Sequence, residues 1–497
     1  MTDTIAALAT ARGRAALAVI RVSGPEAVEL VASRLAPDSA SSSLRKSAGR
    51  TAHVGWLTDS DGRKLDQVVC TVFRAPASAT GEDVVEVTTH GGDAAPQAAL
   101  RTLYEAGARP AAPGEFTQRA FLNGKLDLAQ AEAVADLIHA SSTLGRRAAL
   151  AGLQGRVSNA VEGVRKALIQ TAALVELELD FGDEDVEFAD REALRRLLDD
   201  ADRLLVELVS TARLGALARD GVRVVLGGRP NAGKSTLLNA LVGQDRAIVS
   251  ATPGTTRDAI EADAEIGEIR FRFVDTAGLR ETADAIEAEG TRRAHAAIEA
   301  ADALLYVWDA TLGLDAEEQM FLSELVTRRP ELAVIRVANK ADQLEADRPD
   351  RTPIASLRGA RAVPLQGGQL SDLGTVRSAK PAQRPEGEQG VHLLSAQAAL
   401  SNPRQLDGLR QSLLDIAQLE LADAEGSAVA VNERHRTHLD AAREAVGRAR
   451  QSLEQGNGGD TLALDLRAAL HELGQVTGAV TNEDVLDAVF SQFCIGK

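Results

Sequence analysis

Residues 222–241 read VRVVLGGRPNAGKSTLLNAL: an apolar run, a glycine-rich turn, then a helical pattern. No other stretch narrows the possible folds as far. Gly228, Gly233, Lys234 and Ser235 stand in G-x4-G-K-[ST] spacing, which puts the turn between a strand and the amino end of a helix. The glycines let backbone amides face inward around a chain of phosphates. Lys234 adds a point charge for the β and γ oxygens, and the Ser235 hydroxyl suits Mg²⁺.

The chain that follows fits a nucleotide site. IRFRFVDTAG alternates Ile269, Phe271 and Phe273 with arginines and ends in Asp275, Thr276, Ala277 and Gly278. Asp275 suits the outer Mg²⁺ shell and the Gly278 amide a γ-phosphate. Two further apolar strands, ALLYVW and AVIRVANKAD, lead to Asn339, Lys340, Ala341 and Asp342. A carboxylate at Asp342 accepts two hydrogen bonds from guanine N1 and N2, which adenine does not match, so the base is read as guanine. For the backing of the purine, Ser395 and Ala396 in VHLLSAQ follow a strand. The literal SAK at Ser378–Lys380 lies in a polar stretch with no strand before it, and is set aside. Asn231, Ala232 and Thr236 complete the expected GTP-binding set around the phosphate loop.

The strands and helices of residues 221–417 predict an inserted α/β domain with a parallel sheet. Within it, residues 343–390 are rich in Gly, Pro, Gln and Ser without apolar periodicity, and read as a mobile loop. Ahead of it, residues 1–125 show short strand patterns and one helical run, the mark of an α+β domain. Helical stripes flank the insertion. Val157, Ala160, Val161, Val164 and Leu168 form one; Ala442, Val446, Ala449 and Leu453 a second; and Leu462, Leu466, Ala469, Leu470 and Leu473 a third. Neither flanking piece suffices for its own bundle, so 126–220 and 418–497 are expected to pack together as one discontinuous helical domain. The fold class is thus multidomain. The acidic run 176–187 reads as a solvated helix end, because no metal-ligand spacing is evident.

A net charge of −17 excludes a broad basic surface that would hold nucleic acid by charge alone. Cys70 and Cys494 are too few for a disulfide framework. The amino terminus lacks a signal pattern and no run approaches membrane-span length, so a soluble, cytoplasmic protein is expected. The final CIGK fits a prenylation box badly. Of 55 basic residues only eight are lysine, and four of these, Lys125, Lys234, Lys340 and Lys497, fall inside motifs that carry chemistry.

Between the phosphate loop and DTAG lies AIVSATPGTTRD, and Leu279 stands where many GTPases place a water-orienting glutamine. With Asn231, these residues resemble the translation-associated GTPases that carry a hydrophobic residue at that position. DTIAALAT at the start, PGEFTQRAFLNGKLDLAQAEAVADLI at 113–138 and FCIGK at the end narrow the resemblance to the bacterial tRNA-modification GTPases of the MnmE (TrmE) family. It spans the chain apart from 343–390. The resemblance implies a homodimer working with an FAD-dependent partner of the MnmG/GidA type to add a carboxymethylaminomethyl or aminomethyl group at C5 of the wobble uridine of certain tRNAs. The one-carbon unit would come from 5,10-methylene- or 5-formyl-tetrahydrofolate.

By resemblance, Ser250, Ala251, Thr252, Pro253, Gly254, Thr255 and Thr256 belong to the GTP site. Asn231, Ser250, Thr252 and Thr255 would hold K⁺, and Thr256 would join Ser235 on Mg²⁺. Arg21, Glu82, Lys125 and Lys497 would contact the folate; a carboxylate such as Glu82 suits the adjacent N–H donors of a pterin, and cations suit its acidic tail. Of Glu281, Asp284, Glu287 and Glu289, Glu287 matches the family's catalytic glutamate, acting on the attacking water through a bridging water. Cys494 is either a small buried apolar group or a reactive thiol near the folate; with no base beside it, a structural or positioning role is the reading taken. The rival class, a ribosome-assembly GTPase bound to rRNA, would bring a basic or GXXG-bearing RNA module that the sequence does not show. The arginines at 434, 436, 443, 448 and 450 form one locally basic helical stretch, read as a solvated face ahead of an RNA contact.

Overall fold

The structure, a computed structural model, describes residues 3–37, 39–180, 191–243, 260–275, 296–346, 391–421, 429–456, 459–481, 483–491 and 493–496. The chain forms two compact units. The first comprises Met1–Ala140, Arg147–Ala212 and Ser427–Lys497; the second comprises Ser141–Arg146 and Arg213–Gly426.

The first unit begins with strands β1 (Ile5–Leu8), β2 (Leu17–Ser23), β3 (Thr51–Thr58), β4 (Lys64–Phe73), β5 (Val84–His90) and β6 (Arg109–Pro110), in the sheet order β3-β4-β5-β2-β1-β6. Period-two alternation assigns the faces. Ile20 and Val22 of β2, Val68, Cys70 and Val72 of β4, and Val85 and Val87 of β5 are buried with Val28 and Val31 of the helix Ala27–Ser33 and Leu103 of the helix Ala94–Glu105. Arg21 and Ser23 take the other face, where Arg21 stands opposite Glu86 in register. On that face Phe116, from the helix Glu115–Leu122, packs with Ile5, Ala7 and Ala111, and the Arg21 guanidinium lies 5.7 Å from its ring.

The helices Arg156–Asp180, Arg191–Ser210, Glu433–Glu454 and Gly459–Thr477 supply the rest of the unit. Residues from all three stripes read in the sequence meet in one core: Val157, Val161, Val164 and Leu168 with Ala442, Val446 and Ala449 and with Leu466, Ala469 and Leu473. A buried charge cluster ties the helix Leu128–His139 to the start of Glu433–Glu454. Glu132 accepts from Asn432 Nδ2 at 2.9 Å, Arg434 Nε at 2.6 Å and Arg434 Nη2 at 3.0 Å, and His435 Nε2 lies 2.7 Å away. Burial alone would raise the Glu132 pKa, but His435 and Arg434 outweigh it and hold the carboxyl at about 2.

The arginines of the locally basic helix are each matched by acids. Arg434 is bound to Glu132, and Arg443, Arg448 and Arg450 pair with Asp202, Asp465 and Asp199 at 3.1, 3.1 and 3.5 Å. Arg436 lies 3.6 Å from both Glu433 and Asp440. The acids come from other helices as well as its own, which a reading of one helix face misses.

In the second unit, β7 (Val222–Gly227), β8 (Ile260–Ile266), β9 (Ile269–Asp275), β10 (Ala303–Asp309), β11 (Ala333–Asn339) and β12 (His392–Leu393) form a sheet in the order β12-β11-β10-β7-β9-β8. Every neighbouring pair is parallel except β8 with β9. One face buries Leu226, Phe271, Phe273, Leu305 and Val337 against Leu237 and Leu241 of the helix Lys234–Val242; the other buries Leu304, Tyr306 and Trp308 with Leu322 and Leu325 of the helix Ala316–Arg328. Residues far earlier in the chain close the far edge: Leu144 N donates to Glu268 O at 2.9 Å and Thr143 N to Glu265 Oε1 at 3.0 Å.

Candidate functional site

The carboxyl ends of β7, β9, β10 and β11 converge on the phosphate loop. Two glycines make the loop possible. Gly228 has φ +129° and a Cβ there would lie 1.9 Å from Val307 O; Gly233 has φ +88° and a Cβ would lie 2.2 Å from Asn339 Nδ2. Lys234 is buried at the start of its helix, and its Nζ donates to the carbonyls of Gly228 at 2.9 Å and Arg229 at 2.8 Å. The ammonium is thus held against the inner wall of the loop. Ser235 Oγ donates to Asp275 Oδ2 at 2.8 Å, so the hydroxyl and the carboxylate expected around Mg²⁺ are side by side.

Asn339 holds the ends of β11 and of the Ser395–Ala396 segment to the phosphate loop. Only 2% exposed, it donates from Nδ2 to Ala232 O at 2.8 Å and accepts at Oδ1 from Ala396 N at 2.8 Å. One neutral amide thereby joins the phosphate loop, β11 and the Ser395–Ala396 segment, using its NH2 donor and its carbonyl acceptor at once. Ser395 caps the following turn by accepting from Ala398 N, and Ala341 N donates to Leu394 O at 3.1 Å. Lys340, at φ +65°, donates to Asp309 Oδ2 at 2.7 Å. Burial would raise the Asp309 pKa, yet hydrogen bonds from Lys340 and Thr311 hold it below the usual carboxylate value. Asp342 is exposed in the first turn of the helix Ala341–Ala346, as is Asn231 in the phosphate loop, at φ +62°. Thr236 follows Ser235 in the first turn of Lys234–Val242.

Sequence reasoning did not single out Asp309 or Arg229. The Arg229 guanidinium bonds Asp315 and lies 3.1 Å from Glu318, the two carboxylates of the capping box that opens the helix Ala316–Arg328. The capping-box spacing was legible, but its second use was not. Ser250, Ala251, Thr252, Pro253, Gly254, Thr255, Thr256, Thr276, Ala277, Gly278 and Glu287 lie outside the described residues, as do Ser378–Lys380 and Lys497.

A second polar site lies on the face of the first sheet that carries Arg21 and the helix Glu115–Leu122. Arg21 donates to Glu86 Oε1 through Nε at 3.1 Å and Nη2 at 2.8 Å. Glu82 Oε2 accepts from Ser23 Oγ at 2.8 Å and from Arg119 Nη1 at 3.1 Å. Lys125 is exposed, with Nζ on Pro76 O at 3.1 Å, and its stem borders the turn at Gly81. Arg119, missed in the sequence although it lies in PGEFTQRAF, is 1% exposed. It also donates to Asp3 O, Asp3 Oδ1 and Glu115 Oε1, each at 2.9 Å. The charge of an arginine in a segment read for its resemblance gave no hint that it would be interior.

The last turns reach the same sheet. Phe490 and Phe493 pack with Leu128 and Ala131, and Gly496, at φ +99°, lies where a Cβ would stand 2.1 Å from Leu8 O. Cys494 is exposed, which removes the small buried apolar role; the buried thiol is Cys70, its pKa pushed up to about 12 by desolvation. Among the described residues no helix is long and apolar enough to cross a membrane.

A family model described as the MnmE helical domain matches residues 128–494, and one described as the GTP-binding protein TrmE N-terminus matches residues 4–125. The tRNA modification GTPase MnmE of Salinibacter ruber is 54% identical over 495 residues, covering 100% of this chain and 99% of that one. The proteins of the same name from Cytophaga hutchinsonii and Christiangramia forsetii are 40% and 38% identical, each over 100% of this chain, with 98% and 100% of the relative covered. With a phosphate loop braced through Asn339, and matches that run from end to end, the chain belongs to the MnmE family of tRNA modification GTPases.

Proposed function

We propose that this protein hydrolyses GTP to drive the modification of C5 of the wobble uridine, position 34, in certain tRNAs, together with an FAD-dependent partner of the MnmG/GidA type. The observation that carries the reading is the Asn339 bridge, which ties the segment proposed to read guanine to the phosphate loop. Preorganisation of that kind lowers the ordering cost of binding. Asp342 reads the guanine edge, Lys340 flanks the base, and Ser395 and Ala396 back it. The loop amides from Asn231 to Thr236 face the phosphates, and Lys234 neutralises their inner oxygens.

Ser235 and Thr256 are the Mg²⁺ ligands, with Asp275 behind them; the 2.8 Å Ser235–Asp275 contact supports a hard-cation site at this point. Asn231 supplies a side-chain oxygen for K⁺ with Ser250, Thr252 and Thr255, in keeping with its exposed place at the mouth of the loop. Cations held by these residues would supply positive charge against the phosphate oxygens. Glu287 orients the attacking water through a second water, the task that Leu279 does not perform.

Arg21, Glu82, Lys125 and Lys497 hold a reduced folate, 5,10-methylene- or 5-formyl-tetrahydrofolate, whose role is to supply the one-carbon unit. The donor set fits: Glu82 offers a largely buried carboxylate for the pterin N–H groups, and the exposed Lys125, whose stem borders the neighbouring Gly81, suits the acidic tail. The protein acts as a homodimer.

Mass spectrometry of tRNA nucleosides from cells lacking this protein tests the reading as a whole. C5-modified wobble uridines are expected to vanish and to return with the wild-type gene; an unchanged nucleoside profile refutes it. Replacing K⁺ by Na⁺, or Glu287 by alanine, is expected to suppress GTP turnover while GTP affinity is kept.

A further inference from the structure

Arg119, Glu82, Glu115, Asp3 and Arg109 form one connected cluster on the face of the first sheet that carries the helix Glu115–Leu122. Its charges do not cancel, because two guanidiniums face three carboxylates. Glu115 is fully engaged, accepting from Arg109 Nη1 at 3.0 Å, Arg109 Nη2 at 2.6 Å, Ala112 N at 2.8 Å and Arg119 Nη2 at 2.9 Å. Asp3 takes Arg109 Nε at 2.8 Å and Arg119 Nη2 at 2.9 Å. Glu82 meets a single guanidinium, that of Arg119, where Asp3 and Glu115 each meet two. Its Oε2 accepts from Ser23 and Arg119, while its Oε1 takes only a long 3.3 Å contact from the same Arg119 nitrogen.

The uncompensated charge therefore falls on the carboxylate that faces the proposed pterin, and its orientation is set from behind. Ser23 Oγ is itself held by Thr80 Oγ1 at 2.7 Å, and the Glu82 amide donates to that same hydroxyl at 3.3 Å. Arg119, one of the largest fully buried side chains among the described residues, is the one guanidinium of the cluster that touches all three carboxylates. We propose that Arg119 is a positioning residue that fixes Glu82 for a fused heterocycle presenting two adjacent N–H donors. The proposal rests on the folate reading above and adds to it the residue that sets its selectivity. Arginine suits the place because its planar fork reaches several acceptors in fixed directions, whereas a lysine ammonium would hold one or two with no preferred plane.

The test compares 5-formyl-tetrahydrofolate with its 2-desamino-2-methyl analogue, which lacks one of the two donors, by calorimetric titration of the full-length protein. The wild type is expected to prefer the 2-amino compound about tenfold or more, the range of a hydrogen bond to a charged group. Arg119→Lys keeps the buried charge, so it is expected to fold; the preference falls to about threefold or less while affinity for the analogue stays within twofold. A second variant, Arg119→Met with Glu115→Gln, removes the cation together with the most buried carboxylate and guards against misfolding of a single change. Equal losses for both compounds would mean a purely structural role, and an unchanged preference would mean no role; either overturns the proposal and leaves the folate reading standing. Failure of the wild type to bind 5-formyl-tetrahydrofolate removes that reading and the proposal with it.

Discussion

Each of the two units is organised around a buried polar residue, and the two solutions differ in charge. In the nucleotide-binding unit it is Asn339, neutral, bonded to the backbone of two other segments. In the first unit it is Glu132, ionised and held by Arg434, His435 and Asn432. A GTP site must receive a highly charged ligand, so a neutral brace can fix the loop without competing for the phosphates. A helix junction receives nothing, and there a paired charge supplies rigid geometry at the cost of sensitivity to pH and to loss of either partner.

The largest effect is expected where the charge is buried. Glu132→Gln should destabilise the first unit by about 3 kcal/mol, the usual result of leaving a buried charge without its partner. The two tryptophans, Trp56 and Trp308, fall in different units, so variants keeping one or the other report each unit separately in urea titrations. The Trp56 transition should move and the Trp308 transition should not. Acid should reproduce the effect in the wild type. The Glu132 pKa is depressed from 4.5 to about 2, so its contribution is present in full above the unfolded value and is lost as pH falls through that interval. Glu132→Gln should flatten the pH dependence of the Trp56 transition below about pH 4.5. Parallel curves would show that the contrast with Asn339 is not one of charge.

Gly228→Ala reverses the pattern. With φ at +129° and the Val307 carbonyl in the way of any Cβ, the loop must move. GTP affinity should fall about 100-fold from strain alone, with the Trp56 transition unchanged. Titration with a fluorescent GTP analogue reads the first quantity. Asn339→Ala comes next: a donor and an acceptor lose their partners, and GTP binding should weaken about tenfold or more, with no added dependence on pH between 5 and 8.

These contrasts also explain what could be read in advance. The phosphate loop and the placement of Asn339 at the end of its strand were legible because they follow from backbone geometry at fixed spacing; the bond from Ala396 to Asn339 was not read in advance. The helical stripes were legible for a similar reason, since period and burial go together along one helix. Glu132 was not, because its partner Asn432 lies 300 residues away and a single Glu in an alanine-rich helix looks solvated. Arg119 was hidden by the same rule that places arginines outside. Nor could the neutralised face at 434–450 be seen before Asp199, Asp202 and Asp465 were brought opposite it. Cys494 shows the converse, an exposed residue of a type that usually lies inside.

The smallest effect is expected at Asp309, where charge enters the nucleotide unit beside the guanine motif. Its bond to Lys340 is charged like the Glu132 cluster, but Lys340 is more than a quarter exposed and the pair is open to solvent screening. Asp309→Asn keeps an acceptor for the Thr311 amide and hydroxyl, so the turn should survive. Lys340 loses only part of its restraint, and GTP affinity should fall threefold or less, in line with a surface pair. Salt should shrink even this difference, since exposed pairs are screened over about 10 Å at 0.1 M ionic strength. A loss of tenfold or more that persists in 0.5 M KCl would mean that the guanine end, like the helix junction, depends on a charge protected from water, and the neutral brace at Asn339 would then be only half of what holds the site.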